Sequence, residues 1–183
     1  YGIAEHQPSQ IFSCGSEEVD LDIMYDSLSE FNQYTKAKFP KIILEAAILD
    51  FTKTNTFIGN SNGIDFKINK GLYNFSPMFT AKEGKYTSSF NYTSFCSRKI
   101  NQPLHKYNMI EQLLRETEEQ IQTIPIKDKF VGDIIITPDC LGTFLSIVES
   151  YISDYMLISG KSVYKDKLEQ IIASDKLTVH SHP

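Results

Sequence analysis

The first recognisable pattern along the chain is that of a helix. Apolar residues at positions 21, 24, 28 and 31 recur at intervals of three and four, which predicts an amphipathic helix continuing to Lys38. Acidic residues at its start suit the positive end of the helix dipole. Pro40 ends the helix, because a proline lacks the N–H that a helix interior needs. Residues 1–20 are polar and irregular, and we expect no regular element there.

Strand patterns follow from residue 41 onward. Apolar residues at 42–44 and 46–49 predict a strand buried on both faces, and residues 54–58 predict another. The Asn62-Gly63 pair predicts a hairpin turn, because both residues tolerate positive φ. Residues 64–68, 73–79 and 86–93 predict further strands. The region is therefore expected to be an antiparallel meander.

The last third of the chain returns to helical periodicity. A stripe of apolar residues predicts a helix over 109–124, and a second one predicts a long helix over 139–156 that begins beside Pro138. Between them, residues 131–137 predict a short buried strand against which the apolar face of the long helix packs. Residues 177–179 predict the start of a last strand. We therefore expect an α+β fold: an N-terminal helix and antiparallel meander in 1–100, followed by a helix–strand–helix segment packed on the sheet in 101–183.

Composition and charge exclude several classes of function. The 183 residues carry 18 basic and 23 acidic side chains, a net charge of −5, without a basic patch. Direct nucleic-acid binding and a polybasic membrane contact are therefore disfavoured, and no apolar run approaches the ~18 residues of a membrane span. The three cysteines are widely spaced, which is typical of free thiols in a reducing cytoplasm.

No pattern of catalytic residues stands out. The zinc spacings H-E-x-x-H and H-E-x-x-x-H, the phosphate-binding loops and the nucleophile elbows are all absent from the sequence. His180 and His182 could share one face of a strand, but no third ligand is in register, so we interpret them as surface residues. Glutamates at 111, 116, 118 and 119 are interpreted as the solvated face of a helix. We thus predict no catalytic residue, no metal site and no cofactor in this chain.

Several short motifs follow one another in the last third of the chain. A strand-like segment ending at Pro138 and an apolar helix precede Gly160-Lys161-Ser162-Val163-Tyr164, then Lys167-Leu168-Glu169-Gln170-Ile171-Ile172-Ala173-Ser174, then Leu177-Thr178-Val179. Together with Asn60-Ser61-Asn62-Gly63, this order resembles the TldD/PmbA family, also called modulators of DNA gyrase, over most of residues 40–183. One departure is Glu169-Gln170, where the family usually has Gly-Glu.

The resemblance implies one of two kinds of subunit. Catalytic members of the family carry H-E-x-x-x-H on the long helix and are zinc peptidases acting on unfolded peptides, whereas the PmbA-like members lack the motif and pair with a catalytic subunit. Counted from Pro138, the motif positions are Ser146, Ile147 and Tyr151, and Glu149 is the one carboxylate near the middle of the helix. None of these side chains, at any register, provides the histidines that bind zinc. The resemblance therefore favours the non-catalytic kind.

Alternatives remain open at this point. The chain could be part of an independent peptidase whose site lies outside these residues, or a gyrase-associated regulator. Its partners would be a TldD-like catalytic subunit or a second copy of itself, with an unfolded peptide as the substrate of the complex. Because the sequence begins without methionine and stops within the last predicted strand, we also expect it to be a piece of a longer protein, with residues 177–179 at a sheet edge.

Overall fold

The computed structural model describes residues 9–126, 128–129 and 131–178, and within them every side chain except that of Asp139. The chain divides into two compact units, residues 1–125 and residues 126–183. Within the described residues, the first unit holds a six-stranded sheet with two helices and the second holds two helices. The predicted α+β class is therefore confirmed.

The elements follow one another in this order along the chain. They are β1 (Gln10–Gly15), α1 (Leu21–Lys38), β2 (Ile42–Gly59), β3 (Asp65–Glu83), β4 (Tyr86–Thr87), β5 (Asn91–Tyr92), β6 (Phe95–Ser97), α2 (Ile110–Glu119), α3 (Pro138–Ile152) and α4 (Asp154–Ile158). A 3-10 turn at Leu104–Lys106 precedes α2. None of the helices in this part of the chain has the length and apolarity that a membrane crossing requires.

A long hairpin of β2 and β3 forms the centre of the first unit. The two strands pair antiparallel from Gly59 opposite Asp65 to Ile42 opposite Ala81, so the shorter predicted strands merge into two long ones. The turn is fixed by the Asn60 side chain, whose Oδ1 accepts the backbone N–H groups of Asn62 and Ile64 at 2.9 and 3.1 Å. Gly63 follows with φ of +87°, which glycine adopts without strain. The predicted hairpin is confirmed.

The other edge of β3 pairs with four short strands in succession. β1 pairs with it in parallel, and β6, β5 and β4 pair with it antiparallel further along. The prediction that residues 1–20 lack a regular element is wrong for 10–15, and the sheet is mixed rather than a purely antiparallel meander. Local periodicity did not reveal β1, because its hydrogen-bonding partners lie more than fifty residues away in β3.

The predicted strand over 86–93 is interrupted in the middle. The Ala81 N–H donates to Ser88 Oγ at 2.8 Å, and the Ser88 N–H donates to the Ala81 carbonyl at 2.8 Å. This side-chain hydrogen bond replaces a regular ladder contact, so two-residue strands flank an irregular stretch at 88–90. Phe90 and Tyr92 are consequently exposed, whereas Tyr73 and Phe75 lie in the core.

The core of the first unit lies on one face of β3. Alternate residues of β3 from Gly71 to Ala81 are buried, and α1 and α2 contribute apolar side chains that cover them. The fully buried side chains include Phe31, Phe75, Phe79, Leu104, Ile110 and Leu114. α1 is positioned by its N-cap Asp20, whose carboxylate accepts the Ile23 N–H at 3.0 Å and whose own N–H donates to the Tyr73 hydroxyl at 3.0 Å.

His105 is a buried titratable group in this unit. Its ring stacks on that of Tyr34, with ring centroids 3.6 Å apart, and its Nδ1 atom is buried without a hydrogen-bonding partner. Burial, with a smaller contribution from Lys106, lowers the pKa of His105, although Glu30 and Glu111 oppose the shift. Burial and a hydrogen bond to Glu111 raise the pKa of Tyr34 to about 12.

We expect the stability of the first unit to fall as the pH drops below about 6.5, the ordinary pKa of histidine. The lowered pKa means that the folded state disfavours the charged form of His105, so the unfolded state binds more protons there and acid favours unfolding. His105→Phe keeps an aromatic ring on Tyr34 and removes the titration. The free energy of unfolding, measured by urea titration between pH 7.5 and 5, should decline less for this variant than for the parent. Parallel declines would contradict the assignment.

In the second unit, residues 131–137 do not form the predicted strand. They adopt irregular backbone, and Val131 and Ile135 are almost fully exposed. A short apolar run specifies a strand only where another strand pairs with it, and no described strand pairs with these residues. The predicted burial of the long helix against this strand is therefore wrong as well: Leu141, Phe144 and Ile152 are exposed, and only Leu145 and Val148 on that face are half-buried.

Two further predictions concern the end of the chain. Leu177 and Thr178 are not in a strand, because no described segment pairs with them, so the predicted edge strand is wrong for these two residues. Val179, His180 and His182 lie outside the described residues. The predicted long helix over 139–156 is present as α3 and α4, which are separated at Ser153.

Candidate functional site

The candidate site is α3 together with the segment that follows α4, because the motifs singled out in the sequence lie there. α3 starts at Pro138, whose missing N–H costs nothing in the first turn. α4 ends before Gly160, which has φ of +70° and so allows the chain to reverse. The N–H groups of Lys161 and Ser162 then donate to the Met156 carbonyl at 3.1 and 3.0 Å. The segment after the helices is thus folded back on them.

Ser162 connects this segment to the end of α3. It is 3% exposed, and its hydroxyl donates to the Tyr151 carbonyl. The same oxygen accepts the Tyr164 N–H at 2.9 Å, and the rings of Tyr151 and Tyr164 meet edge to face with centroids 6.3 Å apart. The Ser-Val-Tyr part of the sequence motif therefore has a packing role. Sequence reasoning noted the motif but did not predict this contact, which depends on the chain reversal at Gly160.

The three zinc-motif positions lie in the second half of α3. The Ser146 hydroxyl donates to the Thr143 carbonyl at 2.8 Å, which satisfies it within its own helix. Ile147 is exposed, and Tyr151 is half-buried against Tyr164. The structure brings no histidine to this helix within the residues it describes, and Glu149 is exposed. These side chains pack and hydrogen-bond, but they offer no set of metal ligands.

No group of three or more His, Cys, Asp or Glu residues in the described part of the chain is arranged to hold a metal ion. A zinc site needs at least three such protein ligands. The glutamates of α2 instead make structural contacts: Glu111 pairs with Lys106 at 3.0 Å, and Glu118 accepts the Lys41 N–H at 3.0 Å. A hydrogen bond from Tyr34 and the nearby Lys106 lower the pKa of Glu111.

Residues 130–183 match the family described as the PmbA/TldA metallopeptidase C-terminal domain. Over these residues the chain is similar to the TldD/PmbA family. The matched segment begins before α3 and includes the Ser162 and Glu169 motifs, so the predicted resemblance is confirmed there. The resemblance of the Asn60–Gly63 turn lies outside this match and stays a prediction.

A solved structure is also similar to part of the chain. TldE from Thermococcus kodakarensis is 13% identical, with a TM-score of 0.46, and the similarity covers 57% of this chain and 22% of that one. The chain thus spans about a fifth of the length of the TldE protein that it matches. No curated protein matches the chain.

The departure from the family pattern at Glu169 has a structural consequence. Glu169 has φ of +61°, in the left-handed region that favours glycine, and the TldD/PmbA family usually has glycine at this position. The side chain of this strained residue is exposed, and it makes no ion pair among the described residues.

We expect Glu169→Gly to raise the free energy of unfolding of the second unit by about 1 kcal/mol, because relief of the left-handed strain exceeds the added flexibility of the unfolded chain. The matched control is Gln170→Gly at the next position, where φ is not positive and where the same change should be destabilising. Urea titration followed by circular dichroism measures both. Equal effects of the two substitutions would contradict the strained backbone at Glu169.

Proposed function

We propose that this chain acts as the non-catalytic partner subunit of a TldD/PmbA-type complex that processes peptides. The observation that supports the proposal is the chemistry of α3, the long helix of the family segment. Its motif positions are Ser146, Ile147 and Tyr151, whereas zinc hydrolysis needs two histidines and a general-base glutamate on one helix face. The described residues do not fit a zinc ion, and no catalytic step is assigned to them.

The exposed face of α3 supports a role in association. Leu141, Phe144 and Ile147 lie about one helical turn apart, and all three are exposed. Contiguous exposed apolar side chains are typical of protein–protein interaction sites. We propose a TldD-like catalytic subunit as the occupant of this face, with self-association as the competing outcome. An unfolded peptide would then be the substrate of the complex and not of this chain alone.

The proposal also includes the cellular compartment in which the complex acts. Cys14 is half-buried and Cys96 is exposed, and neither forms a disulfide. Unpaired thiols of this kind are typical of the reducing cytoplasm. We therefore place the complex there, with neither a membrane surface nor nucleic acid as a partner.

The test is peptide hydrolysis by the purified full-length chain, alone and with a TldD-like subunit from the same organism. We expect no cleavage of an unfolded peptide by the chain alone, with or without added zinc, and less than about 0.1 zinc per chain by elemental analysis, because one zinc needs three or more protein ligands. The mixture should cleave the peptide, and the catalytic subunit alone is the control. Hydrolysis by the isolated chain that EDTA abolishes would overturn the proposal.

A further inference from the structure

One edge of the long strand β2 is unpaired. The strand has 18 residues, and among the described strands only β3 pairs with it. The first half of β2 contributes side chains to the core, whereas residues 52–59 are all exposed and form the tip of the hairpin with the facing part of β3. An unpaired edge presents a row of N–H and C=O groups, which is a template for a further strand.

The hydrogen bonds of the turn show which backbone groups face this edge. The Asn60 N–H donates to the Ile64 carbonyl at 3.2 Å, so these two residues form a hydrogen-bonded pair across the hairpin. Such pairs alternate along an antiparallel ladder, and the register of the tip is unbroken, so Asn55 and Phe57 occupy the non-bonded positions. Their N–H and C=O groups point away from β3, where no described strand meets them.

Charge and irregularity protect only the half of this edge that covers the core. The register shifts after Leu44, and the neighbouring Glu45 and Asp50 carry exposed carboxylates. Bulges and charged side chains hinder the pairing of an edge strand with another chain. Residues 54–59 carry no charge and are rich in strand-forming types, and Phe57 among them is 69% exposed. The unprotected part of the edge is therefore the tip.

We propose that the tip of β2 pairs antiparallel with the same segment of a second copy of this chain. A two-fold axis at Thr56 sets Asn55 of each copy opposite Phe57 of the other, so the outward N–H and C=O groups of both residues gain partners. A second copy suits this segment because an uncharged stretch meets itself without repulsion. Pairing of a segment with itself closes at two copies, whereas pairing with the outer edge of β1 would propagate into larger assemblies.

The pairing does not depend on a catalytic subunit, so the full-length chain alone is sufficient to test it. Because the shared segment is short, we expect a weak dimer that dissociates on dilution in analytical ultracentrifugation. Hydrogen exchange should show protection that rises with protein concentration at Asn55 and Phe57, but not at Thr54 and Thr56, whose N–H groups already bond to β3. A monomer at every concentration, assembly beyond a dimer, or a dimer without this alternation would each overturn the proposal.

Substitutions locate the contact at the tip. Asn55→Pro removes an outward N–H that β3 does not use, which an edge strand tolerates. The loss occurs twice in a symmetric dimer, so we expect the dissociation constant to rise about tenfold or more. Thr56→Lys sets two like charges together at the two-fold axis and should weaken the dimer similarly.

Thr87→Lys is the matched control, because Thr87 is an exposed strand threonine at the other end of β3. This variant should dimerise as the parent does, and circular dichroism verifies that each variant is folded. Unchanged dimerisation of Thr56→Lys would refute the site even if Asn55→Pro fails to fold, and so would an equal loss in Thr87→Lys.

Discussion

Replacing Phe75 with alanine should lower the free energy of unfolding of the first unit by about 3–5 kcal/mol, the range for deleting a buried phenylalanine. Phe75 is fully buried in the middle of β3. Its ring packs edge to face with that of Phe31 on α1, with centroids 5.1 Å apart. The ring of Phe95 on β6 lies tilted against it, with centroids 5.8 Å apart. The substitution would therefore leave a cavity between a helix, the central strand and an edge strand, which cannot all move together to fill it.

Phe57→Ala is the control for this prediction. Phe57 lies in β2, on the same hairpin, but its residue is 69% exposed, and we expect its truncation to cost less than about 1 kcal/mol. Urea titration followed by circular dichroism measures both variants against the parent. A change below about 1 kcal/mol for Phe75→Ala would show that Phe75 does not hold the layers together.

Gly71→Ala should separate β1 from the sheet. A Cβ atom on Gly71 would lie 1.8 Å from the Ser16 carbonyl oxygen and 2.9 Å from Phe51 Cζ. The first contact is with backbone, so it is relieved only if the chain after β1 moves away. We expect a loss of about 1–3 kcal/mol in the free energy of unfolding, the usual cost of overpacking.

Hydrogen exchange distinguishes this mechanism from a general loss of stability. In Gly71→Ala, amide protection should be lost in β1 and retained in the part of β2 and β3 that covers the core. Gly142→Ala is the control: a Cβ there meets nothing within 4 Å, and in a helix alanine is preferred to glycine by about 0.5–1 kcal/mol. Retained protection of β1 in Gly71→Ala would contradict the parallel pairing at Gly15 and Gly71.

The candidate site was predictable in part. The motif residues Gly160 and Ser162 pointed to the right segment, which the family match at 130–183 confirms. The lack of zinc-binding side chains on α3 could also be read directly from the residues. The contact of Ser162 with Tyr151 was not predictable from the sequence. It follows from a chain reversal that brings together two residues eleven positions apart.

Sequence alone determined the elements whose signals are local. The bounds of α1 followed from its apolar spacing, its acidic start and Pro40. The hairpin turn followed from the Asn62-Gly63 pair, because caps and turns are set by residues a few positions apart. Only the tertiary structure decided which segments outside the hairpin form strands. Residues 10–15 became a strand because β3 had an open edge for them, whereas 131–137, far more apolar, found no described partner.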